Sequence, residues 1–170
     1  MTYEYDFALI FPIYNPTPDW ESNILASFEV IEKRYKSSNI IYICVNDGSK
    51  CPLNASKDIR KSINFRMIHH EKNQGKGGAV RTGVNAVNAR YYIYTDWDIP
   101  FGIQSICDVM DILSKMNSDI ILARRDQSYY RMLTLKRRLI SKIVLFINWL
   151  VFRGKYIDSQ AGLKGYSYKA

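Results

Sequence analysis

The chain has 170 residues, 47% of them hydrophobic and 14% aromatic, and carries a formal charge of +8 at neutral pH. That size and apolar content fit one domain with a real core and exclude a disordered chain. The positive balance favours anionic partners, whether nucleic acid, phosphorylated substrates or an acidic membrane surface, without choosing among them.

Phe7 to Tyr14, FALIFPIY, is a near-continuous apolar run of the kind that forms a parallel strand covered on both faces. The sequence NPTP breaks it at residues 15–18, and Asp19 is placed to cap a helix through about Tyr35. Ile40 to Val45 is a second buried strand, ending in Asn46-Asp47-Gly48-Ser49. Asp47 admits two readings, ordinary turn chemistry or an acceptor for a base or ribose at a strand end. Asn54 to Ser62 is expected to form a short helix and Phe65 to His69 a third strand. His69 and His70 are adjacent and should point to opposite faces, which argues against a joint metal site.

A basic, Gly-containing loop follows, EKNQGKGGAVRTG at residues 71–83, running into a helix expected to reach about Arg90. Helix N-termini favour anions, and Lys76 adds charge. The loop is neither a Walker loop nor a GxGxxG turn, and its glycines also suit close packing of a helix on a sheet. Tyr91 to Phe101, YYIYTDWDIPF, reads as a buried strand that delivers Asp96 and Asp98 to its carboxyl end. Two carboxylates there suit a hard divalent cation that also holds phosphate oxygens, or else a plain acidic turn. A helix over Ile103 to Met116 and a short strand over Asp119 to Ala123 complete the alternation, which predicts a mostly parallel sheet flanked by helices.

From Ser128 the character changes. Tyr129 to Phe152 is basic first and apolar-aromatic afterwards, which suits a helix lying in a membrane interface or a core or dimer helix with a charged face. No apolar run reaches the ~18 residues of a membrane span, and MTYEYDF lacks the regions of a signal peptide. Cys44, Cys51 and Cys107 form neither a metal spacing nor a disulfide framework, as expected in a reducing compartment.

Six blocks in order resemble the inverting family-2 glycosyltransferases of the GT-A fold: FPIYNP, VNDGS, NQGKGGAVRTG, YTDWD, the Arg124-Arg125 pair with KRRLISK, and DSQAGLKGYS. The last two resemble the branch that attaches glucose or mannose to dolichyl or undecaprenyl phosphate. The resemblance implies one GT-A domain over residues 1–170, with a nucleotide-sugar part at 1–127 and an acceptor- and membrane-facing part at 128–170. It also implies that the domain is cut short at its C-terminal side. It assigns the nucleobase to Asp47, with Pro12 and Tyr14 as pocket walls. Lys76 and Arg81 would contact the nucleotide or its phosphates, and Asp96 the ribose and metal. Asp98 would ligate Mg²⁺ or Mn²⁺. Arg124, with Arg137, Arg138 and Lys142, would face the diphosphate and acceptor phosphate, and Asp158 and Gln160 would lie near the transferred sugar or the acceptor phosphate.

The implied partners are a UDP- or GDP-hexose, a polyprenyl or dolichyl phosphate and the anionic inner face of the membrane, with the chain peripheral in the cytoplasm. Nucleic acid is disfavoured, because the basic residues sit beside an apolar helix and no RNA-binding aromatic motif occurs. A phosphate acceptor is already ionised near neutral pH and needs no general base, and no convincing base is present. A saccharide hydroxyl as acceptor, or a nucleotide-binding remnant without turnover, are the alternatives. The chain departs from the family pattern at Asn46, where an acid is usual, at bulky Trp97 between the two acids, and at Pro100, where one branch has Gln.

Overall fold

The computed structural model describes residues 2–56, 64–116, 118–124, 149–150 and 161–170. In chain order they form β1 (Tyr5–Ile13), α1 (Trp20–Arg34), β2 (Ile40–Asn46), β3 (Phe65–His69), α2 (Gly75–Asn85), β4 (Ala89–Tyr94), α3 (Gly102–Met116), β5 (Ile120–Leu122) and β6 (Lys164–Ser167). The strands make one sheet in the order β3-β2-β1-β4-β6-β5. β1 pairs in parallel with β2 and β4, and β2 with β3, whereas β6 runs antiparallel to β4.

The apolar runs explain the centre of this sheet. All of β2 and the last seven residues of β1 are buried, as strands covered on both faces must be. Successive strand residues face opposite sides. Ile10 meets Gly83 of α2, while Phe11 packs edge-on against Phe28 of α1, so helices cover both faces. The α2 face is built from Ala8, Ile10, Ile41, Ile43, Val45 and Ala79. The α1 face is aromatic: Phe28 lies 3.9 Å from Tyr42 between ring centroids, and Phe7 stacks on Tyr91. Arg34 and Tyr35 both bind Asp111, at 2.6 and 2.7 Å, and so tie α1 to α3.

Several elements differ from the sequence reading. α2 stops at Asn85 instead of Arg90, and a turn at Ala86–Asn88 leads straight into β4. Asp19 stands at the N-cap of α1 without a side-chain bond to the helix, because its carboxylate accepts the Thr17 hydroxyl. The short helix expected at 54–62 is not formed at 54–56, and the remainder lies outside the described residues. So does the basic-apolar stretch at 129–152, except for helical residues 149–150. No helix among the described residues is long and apolar enough to cross a membrane. The chain forms two compact units, Met1–Ile121 with Gly162–Ala170, and Leu122–Ala161. β6 belongs to the first unit through its pairing with β4.

A Cβ placed on Gly83 would lie 2.6 Å from Ile10 Cγ2 in the core. Gly83→Val is therefore expected to destabilise the fold by about 1–3 kcal/mol through overpacking, measured as a lowered urea midpoint with an unchanged slope. An unaltered midpoint would contradict this packing.

Candidate functional site

Parallel pairing aligns the carboxyl ends of three strands. Ile13 pairs with Asn46, and Asn46 with His69. The ladder continues one residue further, with Asp47 N–H bound to the Ile13 carbonyl at 2.8 Å and His70 N–H to the Asn46 carbonyl at 2.9 Å. Tyr14, Asp47 and His70 therefore emerge side by side. β4 leaves the sheet on the other side of β1, where strand order reverses, which is where open α/β sheets bind ligands.

Asp47 is 3% exposed and its Oδ1 receives two hydrogen bonds, from Gln74 N–H at 2.8 Å and His70 Nδ1 at 2.7 Å. His70 Nε2 lies 2.9 Å from the Thr82 hydroxyl on α2. One carboxylate thus joins the ends of β2 and β3 to the start of α2. Gly48 makes this approach possible: its φ is +70°, and a Cβ there would lie 2.7 Å from Asn73 N. Asn46, where the family usually has an acid, accepts Ser49 N–H at 3.1 Å and binds His69 Nδ1 at 3.2 Å. An amide does both, since it carries an acceptor and a donor. The two histidines therefore serve separate partners, as their adjacency implies.

The β4 loop holds the acids. Lys76 Nζ donates to Asp96 Oδ1 at 2.6 Å and lies 5.6 Å from the centre of the Tyr94 ring. A Cβ on Gly162 would lie 2.5 Å from Asp96 Oδ2, so the glycine of DSQAG leaves the space that this carboxylate occupies. Asp98 is exposed, yet partial desolvation by the loop and the charge of Asp96 push its carboxyl above the usual range, against a backbone hydrogen bond and Lys76. Ile99 follows with φ +45°, strained for a β-branched residue and more so before a proline.

These elements enclose a cleft of 260 Å³ lined by Pro12, Ile13, Tyr14, Asp47, Asn73, Gly75, Lys76, Asp96 and Trp97. Two larger clefts, of 640 and 590 Å³, lie at the opposite end of the parallel strands, around Glu4, Asn88 and Tyr168 and around Asp6, Arg90 and Asp119. Of these three the smaller one is the candidate, because it sits at the carboxyl ends and collects buried and paired charges. Of the residues singled out from sequence, Pro12, Tyr14, Asp47, Lys76 and Asp96 line it together, and Asp98 sits two residues on in the same loop. Arg81 is exposed on α2 and does not line it. Arg124 is exposed after β5, in the second unit. Arg137, Arg138, Lys142, Asp158 and Gln160 lie outside the described residues. Sequence reasoning missed His70, Gly162 and the role of Trp97 as a cleft wall. An aromatic between two acids was the available signal for Trp97; nothing local signalled the other two.

Two carboxylates two residues apart are hard-oxygen donors. Among the described residues no group of three His, Cys, Asp or Glu side chains could hold a metal. The set fits Mg²⁺ or Mn²⁺ only in the form such ions commonly take, with one or two carboxylates completed by ligand phosphate oxygens and water.

Sheet order and cleft together define an α/β domain of GT-A architecture. The chain belongs to Glycosyl transferase family 2, whose profile it matches over residues 8–170. It is 26% identical over 172 residues to a dolichyl-phosphate beta-glucosyltransferase of Dictyostelium discoideum, covering 92% of this chain and 52% of the relative. The chain thus spans about half the length of that relative. Among solved structures it is similar in fold to Mycobacterium tuberculosis glucosyl-3-phosphoglycerate synthase, with a TM-score of 0.61 and 15% identity over 98% of this chain and 59% of the other. It is also similar to a mannosyltransferase from Pyrobaculum calidifontis in complex with GDP-Man and Mn²⁺, with a TM-score of 0.58 and 12% identity over 99% and 46% of the two chains.

Asp98 provides a test of the loop's electrostatics. A carboxyl with a raised folded-state pKa keeps its proton longer in the folded than in the unfolded chain. Stability is therefore lost as pH rises from the ordinary Asp range through the raised value. Asp98→Asn is expected to raise the melting temperature at neutral pH, with the gain vanishing below the ordinary Asp range. A gain of equal size at both pH values would sink this account.

Proposed function

We propose that the chain carries the donor-binding part of an inverting glycosyltransferase that moves a hexose from a nucleoside-diphosphate sugar to a polyprenyl phosphate. The observation that carries the reading is the cleft at the carboxyl edge, which Asp47, Lys76 and Asp96 line together with Tyr14 and Trp97. The dolichyl-phosphate glucosyltransferase relative supports the acceptor class.

Each residue has a role that its position suits. The flat base would lie between the aromatic walls with its edge against Asp47. Asp96 and Asp98 would hold Mg²⁺ or Mn²⁺ together with diphosphate oxygens. When bound, that ion supplies neutralisation of charge on the departing diphosphate. Lys76 already pairs with Asp96. A diphosphate entering the cleft would offer the ammonium a new partner and free Asp96 Oδ1. The N–H groups at the start of α2 favour the same anion. Gly77 has nothing within 4 Å of where its Cβ would stand, so backbone is open to a ligand there.

The acceptor side rests on sequence. Arg124, Arg137, Arg138 and Lys142 would meet phosphates, and Asp158 and Gln160 the sugar. Residues 129–152 would rest on the anionic inner surface of the membrane, keeping the protein peripheral and cytoplasmic.

Asp98→Asn is expected to lower Mn²⁺-dependent affinity for UDP- or GDP-hexoses by about tenfold or more, followed by titration calorimetry. Unchanged heats with Mn²⁺ would remove the central claim. With polyprenyl phosphate as acceptor, the product should be an acid-labile lipid that releases hexose; transfer only to saccharide hydroxyls would favour the second acceptor class. The membrane role predicts pelleting with anionic liposomes that falls as salt rises, and a protein left in the supernatant at low salt would count against it.

A further inference from the structure

Asp47 has two oxygens, and the protein already uses one of them fully. Oδ1 takes both Gln74 N–H and His70 Nδ1, at 2.8 and 2.7 Å, which fills its two lone pairs. Oδ2 takes no hydrogen bond from any described residue and is not among the fully buried unpaired atoms, so it keeps solvent contact, on a residue that lines the cleft. The His70 and Asp47 side chains are only 6% and 4% exposed, which keeps water from substituting for either partner. Since Oδ1 acts as an acceptor, Nδ1 carries the hydrogen. In the neutral ring Nε2 then accepts from the Thr82 hydroxyl 2.9 Å away. Both ring nitrogens are engaged, so a ring flip breaks two bonds, and turning the carboxylate also breaks two, those of Oδ1 to His70 and to Gln74.

We propose that His70, held by Thr82, is a positioning residue that makes Asp47 a one-oxygen acceptor and thereby sets which base edges the cleft takes. The inference rests on the reading of Asp47 as the base-binding acid. A uracil-type edge offers one N–H between two carbonyls and is satisfied by Oδ2 alone. A guanine-type edge offers two neighbouring N–H donors and needs both oxygens of a carboxylate. With Oδ1 occupied, its second donor is left unpaired on entering the cleft, which is a strong ground for rejection. Without His70 the carboxylate can turn, and the distinction fades. The bland alternative is that His70 only bolts β3 to α2. A bolt affects stability and leaves selectivity between bases unchanged.

The test is calorimetric affinity for UDP and for GDP at one fixed Mg²⁺ concentration. The unaltered protein is expected to favour UDP by about tenfold or more. His70→Ala should weaken UDP about tenfold and bring the ratio toward one. His70→Asn should restore UDP affinity and the ratio only in part, to about the level of Thr82→Val, because its side-chain N–H stands where Nδ1–H does but nothing reaches Thr82. Thr82→Val leaves the ring and removes its support, and should reduce the ratio about threefold. If His70→Ala does not fold, Thr82→Val and His70→Asn carry the test. Ratios unchanged across the His70 and Thr82 variants, or equal binding of UDP and GDP by the unaltered protein, overturn the inference. Asp47→Asn separates the two readings: it keeps an oxygen for Gln74 and His70 but turns an N–H toward the base. UDP binding that survives Asp47→Asn removes the base-binding assignment itself. UDP binding lost in Asp47→Asn with His70 variants unchanged removes only the positioning role.

Discussion

Parallel pairing in register holds the cleft together. β1, β2 and β3 end level with one another, and each hands its next residue to the same edge. Tyr14, Asp47 and His70 are brought side by side by that ladder, and the Asp47–His70 hydrogen bond then fastens two of them. The ladder in turn depends on β1 and β2 being buried on both faces, which leaves their backbone groups no partner but each other. A one-residue slip would turn every side chain to the opposite face and dismantle core and cleft at once.

Charge at the cleft is balanced internally in two different ways. Asp47 is buried and pinned by a histidine and a backbone N–H, so its geometry is settled before any ligand arrives. Asp96 is partly exposed and held by a single flexible lysine, a pair that solvent weakens and an incoming anion can break. The first arrangement suits recognition of a fixed shape, the second suits exchange of partners. The neighbouring Asp98 is held with its carboxyl disfavoured as an anion, and Ile99 with a strained backbone. Departures from stability commonly gather where binding or chemistry is done.

Much of this was legible along the chain. The apolar runs marked β1 to β4, and acids placed directly after such runs marked the cleft, because strand period and strand ends are local properties. Gly83 fits the reading of glycines that let a helix approach the sheet. What was not legible depends on distance. His70 pairs with an acid 23 residues away, and no local pattern shows that β3 lies beside β2. Gly162 meets Asp96 only because β6 enters the sheet beside β4. The end of α2 was misread because Ala86, Val87 and Asn88 can continue a helix, and the demands of starting β4 override that propensity.

Where β6 sits has a consequence for the order in which the domain forms. β1 meets β2 and β2 meets β3 through short connections, but Ala89 of β4 pairs with Tyr5 across 84 residues of chain and Lys164 of β6 with Tyr94 across 70. Closing such long loops is entropically slow compared with forming the nearer pairs. Until the second closes, β4 has an unpaired edge and Asp96 lacks the glycine that lies against it. The half of the cleft around Asp47 is therefore an early product of folding and the acidic half a late one. Any factor that delays the return of residues 162–167 leaves a domain with its core in place and its acid loop unsupported.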